Sequence, residues 1–147
     1  MKMLSKIKIT DNEMKYMALF ENMTGATILD CVIDDEGETI IFAVKKGDIG
    51  LAIGRDGEKI KRFKKLTNKQ IEVFEYLDTP IQFITRALKP AKIREIKMMD
   101  RVDGGQVAMV SVEPKDKGIA IGKNGKNIKM IRFLAKRYFN LQNIVIN

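Results

Sequence analysis

The chain has 147 residues, 45% hydrophobic and 31% charged, with 27 Lys and Arg against 19 Asp and Glu. That balance belongs to a folded chain, and the length suits one average domain or two small ones rather than a large multidomain enzyme. With no histidine and a single cysteine, an intrachain disulfide, a Cys/His zinc site and a histidine-based triad are all excluded.

The net charge of +8 points to a polyanionic partner. It is unevenly spread: residues 1–40 carry −4 and residues 41–147 carry +12. No stretch reaches the ~18 apolar residues of a membrane span, and the apolar part of the N-terminus is too short for a signal peptide. A reducing cytoplasm is therefore the expected location.

In chain order, Thr10 to Glu13 has the spacing of a capping box. The helix it opens should run to a stop at Gly25. Residues 26–32 and 39–44 are β-rich and predict two strands, with Cys31 as a small buried hydrophobe. The acids at 34, 35, 36 and 38 lie between those strands and are most simply a solvated hairpin turn, not a metal site. A short helix is expected over 48–53, a turn over 54–57, a second helix over 58–66 and a strand over 70–76.

The plan then recurs. Thr79 to Gln82 has capping-box spacing with Pro80 at the first helical position, and this helix should end near Leu88, before Pro90. Strands are expected over 93–98 and 106–112, helices over 116–121 and 126–139, and a last strand over 144–146.

The recurrence is visible residue by residue. Asp48, Gly50, Ala52, Ile53, Gly54, Gly57, Ile60 and Lys61 are matched by Asp116, Gly118, Ala120, Ile121, Gly122, Gly125, Ile128 and Lys129, a constant offset of 68. The chain therefore divides into two copies of one unit, residues 1–77 and 78–147, with almost no linker between them. Gly50 and Gly118 either let the first helix pack closely or mark its start.

Each copy has Ile-Gly-x-x-Gly between two helices: Gly54-Arg55-Asp56-Gly57 and Gly122-Lys123-Asn124-Gly125. Glycine lets backbone or ligand approach closely, and the N–H groups of the following helix face whatever docks there. Arg55 and Lys123 add positive charge inside the turn, and Lys59, Arg62, Lys126 and Lys129 lie beside it. The combination suits a clamp on a sugar–phosphate backbone, with single-stranded RNA as the partner. Neither turn holds an aromatic residue, so stacking on rings is secondary to backbone contacts and aliphatic grooves. Leu51, Ile53, Ile119 and Ile121 should be divided between core and groove. Ile60, Phe63, Leu66, Ile128, Ile131 and Leu134 are expected in the core.

These turns resemble the signature of the KH domain. Two strands and a helix precede the helix pair and one strand follows it, the order α-β-β-α-α-β of the type II form. The resemblance implies an α+β fold of two tandem type II KH domains, each a three-stranded sheet packed against helices. Two abutting units of this kind are similar to the archaeal NusA-like family. That implies RNA binding linked to transcription termination, antitermination or elongation control, with RNA polymerase or its elongation complex as a further partner. Bacterial members add a polymerase-binding domain and an S1 domain, for which this chain has no room. A ribosome-associated or ribosome-assembly RNA-binding factor and a protein–protein scaffold are the rival readings. No G-x-G-x-x-G, no P-loop and no nucleophile–base pair is present, so neither an enzyme nor a cofactor is expected.

Overall fold

The computed structural model describes residues 9–34 and 36–147. The described chain divides into two compact units that separate between Leu77 and Asp78.

The first unit begins with α1 (Asp11–Thr24), whose capping box is complete. The Thr10 N–H donates to Glu13 Oε1 at 2.8 Å, and the Glu13 N–H donates to Thr10 Oγ1 at 3.4 Å. Gly25 ends the helix in the left-handed region (φ 77°), and its N–H bonds the Glu21 carbonyl at 2.8 Å. β1 (Ile28–Ile33) and β2 (Thr39–Val44) follow and pair antiparallel. The connection between them is organised by Asp34, whose Oδ1 accepts the N–H groups of Glu38 and Thr39 at 2.8 and 3.1 Å. Burial pushes its carboxyl up, but the backbone N–H groups of Thr39, Glu38 and Gly37 and the Thr39 hydroxyl outweigh this and hold it below the ordinary aspartate range. Lys69 Nζ donates to the Gly37 carbonyl across the same turn.

Next come α2 (Ile49–Ile53), α3 (Glu58–Thr67) and β3 (Gln70–Glu75), with β3 parallel to β2. A parallel pair needs a crossover connection, and here the helix pair with its Gly-x-x-Gly turn supplies it. Phe20 of α1 stacks on Phe42 of β2 (centroids 4.3 Å apart, planes 2° apart), and Phe63 of α3 meets both rings edge-on at 4.9 and 5.7 Å. This aromatic trio, fully buried, joins two helices to the sheet; Cys31, Ile40 and Ala52 are buried in the same core.

The second unit follows the same order: α4 (Pro80–Ala87), β4 (Ile93–Asp100), β5 (Gln106–Val112), α5 (Lys117–Ile121), α6 (Lys126–Phe139) and β6 (Leu141–Ile146). β4 and β5 are antiparallel, and β5 and β6 are parallel. Each unit thus has a three-stranded sheet with its second strand in the middle, in the α-β-β-α-α-β order of the type II KH domain. Phe83, Ile84, Ile131, Leu134 and Ile144 are fully buried here.

Several expectations need correction. Leu66 is 60% exposed rather than core. Leu134, at the same helical spacing in the second unit, is fully buried; Leu66 differs in lying in the last turn of α3, which ends at Thr67, whereas α6 runs on to Phe139. At Thr79 only the forward half of the box forms, with the Gln82 N–H donating to Thr79 Oγ1 at 3.2 Å. β6 starts at Leu141, not Ile144, because Asn140 caps α6 in the left-handed region (φ 57°) and the chain enters the sheet at once. α6 has 14 residues where α3 has 10, which ends the constant offset before the last strand. Among the described residues, no helix is long and apolar enough to cross a membrane.

Candidate nucleic-acid interface

The two Gly-x-x-Gly turns have the same backbone. Gly54 and Gly122 have φ, ψ of 77°, 171° and 79°, 168°; Asp56 and Asn124 have 55°, 27° and 57°, 26°. Gly57 and Gly125 have 74°, 18° and 72°, 13°. Each turn is held by matching bonds. The Gly54 N–H reaches the Gly50 carbonyl at 2.9 Å and the Gly122 N–H reaches Gly118 at 2.9 Å. The Gly57 N–H reaches Gly54 at 3.2 Å and the Gly125 N–H reaches Gly122 at 3.1 Å.

The two glycines of a turn do different work. Gly54 and Gly122 have dihedrals that only glycine adopts readily, and they sit against the start of the next helix. A Cβ on Gly54 would lie 2.5 Å from Lys59 Cγ and 3.0 Å from the Lys59 backbone nitrogen. A Cβ on Gly122 would lie 2.6 Å from Asn127 Cβ and 2.8 Å from its backbone nitrogen. The second glycine faces outward: a Cβ on Gly57 would meet nothing within 4 Å, and one on Gly125 would meet only Lys129 Cε at 3.9 Å. Protein packing therefore fixes the first glycine, whereas the second leaves bare backbone on the surface. Between them Asp56 and Asn124 occupy the left-handed region, which short polar side chains tolerate.

Gly57 and Gly125 are also the N-caps of α3 and α6, and neither helix start has a side-chain cap. One donor in each copy is used by the turn itself, since the Glu58 N–H returns to the Arg55 carbonyl and the Lys126 N–H to Lys123. The expected set of free first-turn donors is smaller by that one.

Arg55, Asp56, Arg62, Lys123, Asn124, Lys126 and Lys129 are exposed around the turns. Lys59 is half-buried, and its Nζ donates to the Met23 carbonyl at 3.0 Å, tying α3 to the end of α1. The apolar residues beside each turn divide in the same way in both copies. Ala52 and Ala120 are fully buried, Ile53 and Ile121 are half-buried, and Leu51 and Ile119 are both 52% exposed. Gly50 and Gly118 lie in the first turn of α2 and α5, and a Cβ on either would meet nothing within 4 Å. Close packing against described residues does not require them.

The repeat pairs Asp48 with Asp116, but their spacing assigns them no role. Asp48 Oδ2 accepts the Thr27 N–H at 2.8 Å, and Asp116 Oδ2 accepts the Lys92 N–H at 2.9 Å. Each carboxylate pins the approach to the first strand beneath the entrance to the helix pair. Their paired positions in the repeat were the available signal. Among the described residues, no group of three or more His, Cys, Asp or Glu is placed to hold a metal ion.

Comparison with known proteins agrees with this architecture. Residues 80–146 match the family model of the NusA-like second KH domain, and residues 14–92 match that of the KH domain. A protein of Halococcus morrhuae named "Probable transcription termination protein NusA" is 32% identical over 95% of this chain and 97% of its own length. The protein of that name from Methanococcus vannielii is 35% identical over 96% of this chain and 80% of its own length. The crystal structure of APE1850 matches with a TM-score of 0.83 and 35% identity, covering 95% of this chain and 100% of that one. In order of elements, turn geometry and relatives alike, the chain belongs to the archaeal NusA-like family of KH-domain proteins.

Proposed function

We propose that this protein binds single-stranded RNA through its two Gly-x-x-Gly turns and acts in transcription termination or antitermination. The observation that carries the reading is the duplicated turn. Two segments 68 residues apart adopt the same backbone, each with its second glycine bare and basic side chains around it. Backbone of this kind can lie against a sugar–phosphate chain at van der Waals distance, with each turn holding about four nucleotides. The half-buried Ile53 and Ile121 and the exposed Leu51 and Ile119 offer aliphatic surface for unstacked bases nearby. The names of the archaeal relatives support the transcriptional setting, with RNA polymerase or its elongation complex as a further partner. The protein acts by holding RNA rather than by changing its covalent bonds, and it works in the cytoplasm where transcripts are made.

The test is a variant that places acids in both turns, Arg55→Asp with Lys123→Asp and Asn124→Asp. Circular dichroism confirms that it folds, and fluorescence anisotropy reads its affinity for single-stranded RNA. A loss of at least tenfold, about 1.4 kcal/mol, is expected. Unchanged affinity in the folded variant would reject the reading. Copurification with RNA polymerase rather than small-subunit ribosomal particles would favour transcription over ribosome assembly.

A further inference from the structure

The two turns share a backbone but not a charge. Residues 55–58 are Arg-Asp-Gly-Glu, net −1, and residues 123–126 are Lys-Asn-Gly-Lys, net +2. Because the backbones coincide, Asp56 stands where Asn124 stands and Glu58 where Lys126 stands. All four side chains are exposed.

The helix starts differ in the same sense. The first turn of α3 holds its own acid, Glu58, whereas α6 has none. An acid in that turn complements the positive end of the helix from within and competes there with an incoming phosphate. At α6 that end is uncompensated, and Lys126 adds to it. Lys59 keeps its charge, but its ammonium is fixed at the Met23 carbonyl rather than free to follow a phosphate, and the exposed Arg62 lies a turn further along α3. Charges inside one turn lie within a Debye length of a phosphate seated on it, about 8 Å at physiological salt, so the difference acts directly on the ligand.

We infer that the clamps divide the task. The second captures the RNA backbone and supplies most of the phosphate neutralisation. The first adds backbone and aliphatic contacts to RNA already held by the second, and its carboxylates keep it from retaining RNA alone. This inference rests on the RNA-binding reading above and gives its two sites unequal roles.

Equal perturbations separate the possibilities. In the full chain, Lys123→Glu and Arg55→Glu are compared singly and together for binding to a single-stranded RNA of about 12 nucleotides. Lys123→Glu should weaken binding about tenfold or more and flatten its salt dependence, and Arg55→Glu should weaken it less than about threefold. Giving the first turn the charges of the second, Asp56→Asn with Glu58→Lys, should raise affinity about threefold or more. Asp56→Asn alone is isosteric, suits the left-handed backbone and should give a smaller gain. Equal losses for the two reversals, or no gain from either first-turn variant, would overturn the division of labour while leaving RNA binding intact. No loss even in the double reversal would overturn RNA binding itself.

Discussion

Asp48 and Thr27 are 21 residues apart, yet the carboxylate of one accepts the backbone N–H of the other at 2.8 Å. The second unit repeats this bond between Asp116 and Lys92 at 2.9 Å. A hydrogen bond to a charged acceptor contributes more than a neutral one, and losing the acceptor also strands a donor. Asp116 is 9% exposed and Asp48 is half-buried. Asp116→Ala should therefore cost about 2 kcal/mol and Asp48→Ala about 1 kcal/mol, because the bond to Thr27 is the more exposed of the two. Urea unfolding followed by circular dichroism measures both, and equal or negligible losses would contradict the assigned roles.

The glycines within each turn should respond differently. Gly54→Ala and Gly122→Ala combine a Gly-only conformation with overlap onto backbone atoms of Lys59 and Asn127. Each should destabilise its unit by about 3 kcal/mol or more. Gly57→Ala and Gly125→Ala meet no clash and should cost only about 1–2 kcal/mol of left-handed strain. If RNA lies against the second glycine, those milder variants should lose RNA affinity out of proportion to their melting temperatures. Paired melting and anisotropy measurements on the four variants check this.

Much of this architecture is legible in the sequence because the decisive signals are local. Thr10 with Glu13, strands 39–44 and 106–112, and both Gly-x-x-Gly turns depend on neighbours only a few residues away. What escaped is non-local or carried by atypical residues. The partner of Asp48 is a backbone N–H far along the chain, which no spacing rule names. Asn68 and Asn140 end α3 and α6 at φ 58° and 57° where glycine is the usual signal. The polar pair Gln142 and Asn143 concealed the first half of β6. Leu66 has the same helical spacing as the buried Leu134 and differs in lying in the last turn of α3, which ends at Thr67. The difference between the two clamps was written in the charges of residues 55–58 and 123–126, but its meaning depended on seeing that the backbones coincide.

The hairpin of the first unit should be sensitive to acid. Asp34 has a carboxyl held below the ordinary aspartate value by backbone N–H groups, against the opposing push of burial. A group depressed in the folded state stabilises the fold above its unfolded pKa, near 3.9, and loses that contribution as pH falls through its folded value. The Asp34 carboxyl resonance should titrate below about pH 3.9, with the Glu38 and Thr39 amide shifts following it. An Asp34→Asn variant should lack that step, and a midpoint at or above the ordinary value would contradict the hydrogen-bond account.

Salt should report the phosphate contacts individually. For single-stranded nucleic acid, each neutralised phosphate contributes about −0.7 to the slope of log K against log salt. Lys126→Gln and Lys129→Gln, both at exposed positions beside the second turn, should each flatten that slope by about 0.7. Titrations at several salt concentrations measure it, and an unchanged slope would remove that lysine from the interface.

If RNA lies on the two turns, their amide resonances must sense it. Isotope-labelled protein titrated with single-stranded RNA of about 12 nucleotides should show its largest shifts at Gly54–Glu58 and Gly122–Lys126, those of the second turn moving first. A duplex RNA of equal charge should leave both turns little changed. Shifts confined to other surfaces, with both turns silent at saturation, would contradict the claim.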